Sequence, residues 1–396
     1  MRLILLILIT SVLVKASTIS LDEILQKLRY EHPVSKSIKA YEALYKADNK
    51  AKSSREALQL ITDGSYAKPD LDKFGYEYSI GVEQKFMNSS VKESLSKSAR
   101  YQSDAEILNL KHDFLLLEND VRLLYHLNCL DKQAIEQYKA SYLSFKTLYT
   151  KKEKAYKYGE ISKKELLQLQ IELDRLNSEY KHIENEEKTS RNNLQSKILL
   201  PIFEESVLSC KDTYAVTEKL VINNNEISLQ VKSLNKKIKS AQSDFNQYDS
   251  IFDSYTLFAA YQDEIDTKRF VVGLSIPLNF TSPINEEKRA AAMHKKSALE
   301  YEKQGLRLER ESKMKLLEKR LLQSYQNIES VKSMLNKYEN ELMPLIERGY
   351  RLGEDSAIEY LLSQREMWMY KKDLIQHHKN YYEMLFKLYS ILEIKD

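Results

Sequence analysis

Seven histidines are the first residues to test for metal ligation, because two imidazoles one helical turn apart can clasp an ion. No H-x-x-x-H pair occurs. His112 and His126 stand about four turns apart on one predicted helix, and the adjacent His377 and His378 point to different faces. Cys129 and Cys210 lie far apart and form no C-x-x-C motif, which excludes a zinc ribbon or a thioredoxin-type site. An exported chain could oxidise them to one disulfide, and two free buried thiols are the expected state. Glycine never occurs as G-x-G or G-x-x-x-x-G-K, so no phosphate loop is present. No Ser, His and acid set falls on a strand–turn element. The carboxylates sit in Lys/Glu-mixed stretches with nothing to raise a pKa. The expectation is a protein that is not an enzyme and has no metal and no cofactor.

What the chain does carry is alternation. Tyr76, Tyr78, Ile80, Val82 and Phe86 point one way, and Glu77, Ser79, Gly81, Glu83 and Lys85 the other. A second run sets Phe270, Val272, Leu274, Ile276, Leu278 and Phe280 against Gly273, Ser275, Pro277 and Asn279. One face of each run meets an apolar medium, and about 11 residues is the length of a tilted transmembrane strand. Pro277 has no amide donor and marks a bend or a strand end. Each run has a weaker partner upstream: Leu58, Leu60, Thr62 and Tyr66 before Lys68-Pro69-Asp70, and Asp253, Tyr255, Leu257, Ala259 and Tyr261. The chain thus offers two hairpins and four strands. Four strands cannot close a barrel, and open edges are forbidden in lipid, so three copies with twelve strands are needed. Small soluble sheets packed on helices are the other reading of the same alternation.

The rest must be long helix. There are 8 Gly and 6 Pro in 396 residues, and none between Asn88 and Lys157, a stretch that extends roughly 100 Å as a helix. Ile107, Leu110, Phe114, Leu117, Val121 and Leu124 step by 3 and 4. So do Leu166, Leu169, Leu173, Leu176, Tyr180 and Ile183, and likewise Ile328, Val331, Leu335, Tyr338, Leu342 and Leu345, with a kink expected at Pro344. The order repeats: Gly81 recurs as Gly273, Gly159-Glu160 as Gly353-Glu354, and Gln170 as Gln364, at lags of 192 to 194. Residues 17–205 are read as a first repeat, with a hairpin at 57–87, a long helix at 89–157 and a return helix at 161–198. Residues 206–396 form the second, with a hairpin at 251–280, a long helix at 284–351 and a return helix at 356–392.

The ends and the charge place the chain. Met1 and Arg2 precede an uncharged run to Val14, followed by Lys15-Ala16, which reads as a signal peptide over residues 1–16, too short to span a bilayer. A net charge of +3, from 61 basic and 58 acidic residues, argues against nucleic acid. Interleaved Lys and Glu suit solvated helix faces.

The export signal, the tandem halves and the tips Tyr158-Gly159-Glu160-Ile161-Ser162 and Leu352-Gly353-Glu354-Asp355-Ser356 resemble the TolC or outer-membrane efflux protein family. The resemblance implies a mostly α fold. Long coiled-coil hairpins and two β-hairpins per chain would form a homotrimer with an α-barrel tunnel in the periplasm and a 12-strand β-barrel in the outer membrane. It implies a channel that works with a periplasmic adaptor protein and an inner-membrane pump of RND or ABC type. Gly159, Glu160, Ile161, Gly353, Glu354 and Asp355 would be the adaptor-docking tips. Tyr350, Glu359 and Glu165 would lie at the pore constriction or gate. Tyr76, Tyr78, Ile80, Val82, Phe270, Val272, Leu274 and Ile276 would face outer-membrane lipid. The chain departs from the family pattern where Asp355 stands in place of an arginine and Leu362 in place of a second acid. A periplasmic adaptor and a soluble coiled-coil scaffold are the rival readings. The cargo is not legible.

Overall fold

The computed structural model describes residues 18–67, 74–200, 207–219, 227–279 and 283–394. The expected signal peptide, the Lys68-Pro69-Asp70 turn and Phe280 lie outside the described residues. In chain order the elements are β1 (Thr18–Ile19), α1 (Leu21–Glu31), α2 (Pro33–Lys52), β2 (Gln59–Ala67), β3 (Gly75–Met87), α3 (Ser89–Lys157) and α4 (Lys163–Ile198). There follow β4 (Val207–Leu208), α5 (Leu229–Gln247), β5 (Ser254–Asp263), β6 (Lys268–Ser275), α6 (Ile284–Lys337), a π-turn (Tyr338–Leu342), α7 (Met343–Leu352) and α8 (Ala357–Leu392). The chain divides into two compact units that cut across its halves, one of residues 1–36, 114–224 and 312–396, the other of residues 37–113 and 225–311.

In the first unit, local signals set the helix ends. Ser20 accepts from the Glu23 amide and Glu23 returns the bond, a capping box that starts α1. Ser356 and Glu359 form a second capping box at the start of α8, and at α4 the Ser162 hydroxyl accepts from the Glu165 amide. The predicted long helix at 284–351 is helical throughout, but its hydrogen bonding changes over the π-turn, and Pro344 sits at the first turn of α7. A proline has no amide for the preceding turn, and the extra residue of a π-turn absorbs the mismatch.

Three clusters hold this unit. Ile24 and Leu28 of α1 meet Val121 and Tyr125 of α3 and Leu194 and Ile198 of α4. Leu317, Leu321 and Ile328 of α6 meet Leu385 and Phe386 of α8. Tyr138 and Phe145 of α3 meet the Leu169–Leu176–Ile183 ridge of α4, with Leu361 and Trp368 of α8. That ridge follows the predicted seven-residue step. The α3 seam does not. Of that seam Val121 is in the core and Phe114, Leu117 and Leu124 only flank it, whereas Leu115, Glu118, Asn119, Arg122, Tyr125 and His126 are buried.

Two of these, Tyr125 and His126, serve residues 207–219, a strap without helix beyond one short 3-10 turn. Its backbone has no ladder of its own past β4, so side chains must satisfy it. The Tyr125 hydroxyl donates to the Ser209 carbonyl. The Tyr214 amide donates to His126 Nε2 at 2.9 Å, and the Tyr382 hydroxyl donates to the Tyr214 carbonyl at 2.6 Å. Tyr381 bonds both the amide and the carbonyl of Thr217 at 3.1 Å. Cys129 and Cys210 form a disulfide with Cα atoms 5.5 Å apart, which corrects the expectation of two free thiols. The return of α4 along α3 brings the strap back beside Cys129, a proximity that an 81-residue separation conceals.

His126 must be neutral in this setting. Its Nδ1 faces the Arg122 carbonyl at 2.7 Å, and its Nε2 is needed as an acceptor. Burial pulls its pKa down to about 4, the Arg122 charge adding to the shift and the bond to the Arg122 carbonyl opposing it. The folded state therefore refuses a proton that the unfolded chain takes up near the ordinary histidine value of 6.5. Stability is complete above that value and declines as pH falls toward 4, by at most about 3 kcal/mol. Urea midpoints between pH 7 and 4 should fall more steeply in the wild type than in His126→Gln, and equal slopes would refute the assignment.

In the second unit, α5 lies against the first turns of α3 through small side chains. Ser98 and Ser240 share a 2.9 Å hydrogen bond, the Ser233 hydroxyl donates to the Ala105 carbonyl at 3.0 Å, and Lys236 pairs with Asp104 at 2.7 Å. The Asn88 amide donates to the Asp253 carbonyl at 2.8 Å, which joins the start of α3 to the start of β5. These contacts fix the roots of the strands.

Candidate functional site

The strands form one antiparallel sheet in the order β2-β3-β5-β6. Alternation had supplied two hairpins. The β3–β5 pairing that fuses them, from Tyr78 opposite Asp263 to Met87 opposite Ser254, was not legible in it. Directly opposed residues share a face. The row Leu60, Val82, Ala259 and Val272 therefore crosses all four strands on one side, and Ile80, Tyr261 and Phe270 align beside it. Phe270 and Val272 are 84% and 80% exposed, and Tyr76, Tyr78, Ile80, Val82 and Leu274 are exposed as well. The other side carries the row Asp63, Ser79, Gln262 and Arg269. Ile276 is not a strand residue. β6 has 8 residues and ends at Ser275, ahead of Pro277, short of the run expected to reach Phe280. Past the proline, Asn279 fastens the chain to the Ile251 carbonyl at 3.0 Å and to Asp253 at 2.9 Å. The outer edges of β2 and β6 have no strand partner among the described residues.

The two helical hairpins α3–α4 and α7–α8 turn on glycines held at φ of +78° (Gly159) and +79° (Gly353). A side chain at that φ is strained, so glycine is the natural occupant. Each turn closes on itself: the Glu160 amide donates to the Ala155 carbonyl at 3.0 Å and the Glu354 amide to the Gly349 carbonyl at 2.9 Å. Glu160 and Glu354 are exposed, Ile161 and Asp355 half-buried. The Asp355 carboxylate folds back over Gly349, where any Cβ would collide with it.

Tyr350 and Glu165 converge on a residue that sequence reasoning passed over. The Lys152 ammonium lies 5.6 Å from the Tyr350 ring centre and 3.9 Å from Glu165. Tyr350 also stacks on Tyr360 at 5.0 Å. Lys152 sits two turns before Gly159, and counting back from the turn would have found it. Glu359 serves the α8 cap: its carboxylate accepts from the Ser356 amide at 2.9 Å. That bond and the Ser356 hydroxyl hold its pKa below the usual carboxylate range. No group of His, Cys, Asp and Glu that could hold a metal occurs among the described residues.

No family model and no curated protein matches this chain. Solved structures do. The Campylobacter jejuni CmeC outer membrane channel aligns with a TM-score of 0.77 at 12% identity, over 94% of this chain and 85% of that one. The outer membrane protein VceC of Vibrio cholerae gives 0.76 at 12% identity, over 94% and 95%. The open state of the Neisseria gonorrhoeae MtrE outer membrane channel gives 0.69 at 14%, over 94% and 87%. Identity this low speaks for architecture alone, and in architecture the chain has the TolC-like fold of the outer membrane efflux channels.

Proposed function

We propose that the chain is one subunit of a passive exit duct through the bacterial outer membrane. Three copies close twelve strands into a barrel, and the helical part stands in the periplasm. The observation that carries this reading is the sheet. Its exposed apolar face crosses four strands, and neither outer edge has a strand partner among the described residues. In lipid such edges must be paired, and further copies of the same sheet pair them without a second kind of chain. No helix among the described residues is long and apolar enough to cross a membrane. The Cys129–Cys210 disulfide suits an oxidising compartment. A soluble scaffold would leave the apolar sheet face without a purpose.

The glycine turns are the docking tips for a periplasmic adaptor, through Gly159, Glu160, Ile161, Gly353, Glu354 and Asp355, and an inner-membrane pump supplies the drive. Closure of the entrance uses Lys152 between Tyr350 and Glu165, in place of an arginine at position 355. Glu359 contributes one carboxylate per subunit around the axis, where like charges attract cations.

The test is purification from outer membranes followed by planar-bilayer recording. A detergent-stable trimer with cation-preferring conductance is expected. A protein that is monomeric without detergent and conducts no current sinks the reading. Glu359→Gln keeps the cap, since glutamine serves at that position too. It should lower the cation-to-anion permeability ratio roughly twofold. An unchanged ratio would leave Glu359 as a helix cap and nothing more.

A further inference from the structure

Within one chain the two hairpins pack level with each other. Glu172 of α4 lies 4.0 Å from Arg365 of α8, and Glu179 lies 3.4 Å from Lys372. Counted from the turn glycines, these are residues 13 and 12, then 20 and 19. A ring of alternating hairpins repeats that level packing from copy to copy. The flank of α3–α4 that faces away from α7–α8 then meets the far flank of α7–α8 in a second copy.

Both free flanks carry unpartnered apolar residues at matching heights. On α4, Leu167 and Ile171 are 47% and 67% exposed, on the side opposite the buried Leu169–Leu176 ridge. On the other hairpin, the π-turn opens a groove of about 420 Å³ lined by Met334, Lys337, Tyr338, Glu341, Leu342, Leu345 and Tyr370, in which Lys337 stands at the end farther from the turn glycine than Glu341. The extra residue of the π-turn shifts the helical register, and Leu342 and Leu345 stand exposed rather than in the core. Leu167 lies eight residues after Gly159 and Leu345 eight before Gly353; Ile171 and Leu342 lie at twelve and eleven. Asp174 and Lys337 follow at fifteen and sixteen, opposite in charge, both exposed and neither ion-paired among the described residues.

We propose that these faces are the two sides of one seam between copies. Leu167 and Ile171 of α4 enter the π-turn groove of a second copy, and Asp174 meets Lys337 there. The interface is head-to-tail, so it closes only as a ring. The proposal rests on the duct reading and adds where the copies join below the barrel.

Paired cysteines test it. The native pair is already a disulfide, so it does not compete. Leu167→Cys with Leu345→Cys in one chain should give covalent dimers and trimers on mild oxidation, and neither single variant should. Asp174→Lys should reduce the trimer fraction in detergent, and adding Lys337→Asp should restore it. A conducting trimer without the crosslink overturns the seam and leaves the duct standing. A non-conducting monomer overturns the duct reading and the seam with it. A crosslink formed only to a different protein overturns the seam and gives the groove to that partner.

Discussion

Arginine at Val82 or Val272 should leave almost no assembled protein in the outer membrane. Both residues belong to the row Leu60–Val82–Ala259–Val272, which crosses the middle of the sheet on its apolar side. An arginine facing lipid at the bilayer midplane costs about 2–4 kcal/mol. A trimer carries three of them, about 6–12 kcal/mol in all, enough to shift assembly by four orders of magnitude or more. Ser79→Arg is the control. It lies in the row Asp63–Ser79–Gln262–Arg269 on the other side, where water is expected to solvate a charge. Quantitative blotting of outer-membrane fractions, with trimer separated from monomer in detergent, reads the difference. Normal assembly of Val82→Arg alongside wild type would show that this face does not meet lipid.

The contrast between the two faces was legible because a period of two survives any change in neighbours. The same holds for Ser89–Lys157, a helix with no glycine or proline along its length, and for the positive φ at Gly159 and Gly353, where a turn between helices leaves few options. Pairwise facts were not legible. Alternation says which way Val82 points and is silent on which strand lies beside β3. The disulfide, the Lys152 bridge and the level packing of α4 on α8 each join residues that sequence separation hides. The α3 seam failed for a further reason. A 3-4 pattern assumes one partner on one side, yet α1, α4, α6 and α8 all contribute to the clusters that α3 joins, and the strap adds a peptide backbone to be hydrogen-bonded. Burial there selects Tyr125 and His126 as readily as leucine, because the strap needs donors and acceptors. A hydrophobicity pattern cannot anticipate that demand.

That demand makes the strap a cooperative unit, and severing its disulfide should be the costliest change in the first unit. The Cys129–Cys210 bond closes a loop of 81 residues. In the chain-entropy picture its loss costs about 4.5 kcal/mol. The local argument has the same sign. Without the tether, each opening of the strap strands the Tyr125, Tyr381 and Tyr382 hydroxyls and His126 Nε2 among buried aromatics, where every unmade bond costs about 1–3 kcal/mol. Opening is therefore all or none, and the disulfide decides how often it occurs. The Cys129→Ser, Cys210→Ser double variant should unfold at clearly lower urea. Limited proteolysis should cut it first within residues 207–219, while strands β2, β3, β5 and β6, in the other unit, keep their amide-exchange protection. An unchanged midpoint would mean that the tyrosines and His126 hold the strap unaided, and that the disulfide is an ornament of the compartment. Loss of protection across the sheet as well would mean that the two units unfold as one.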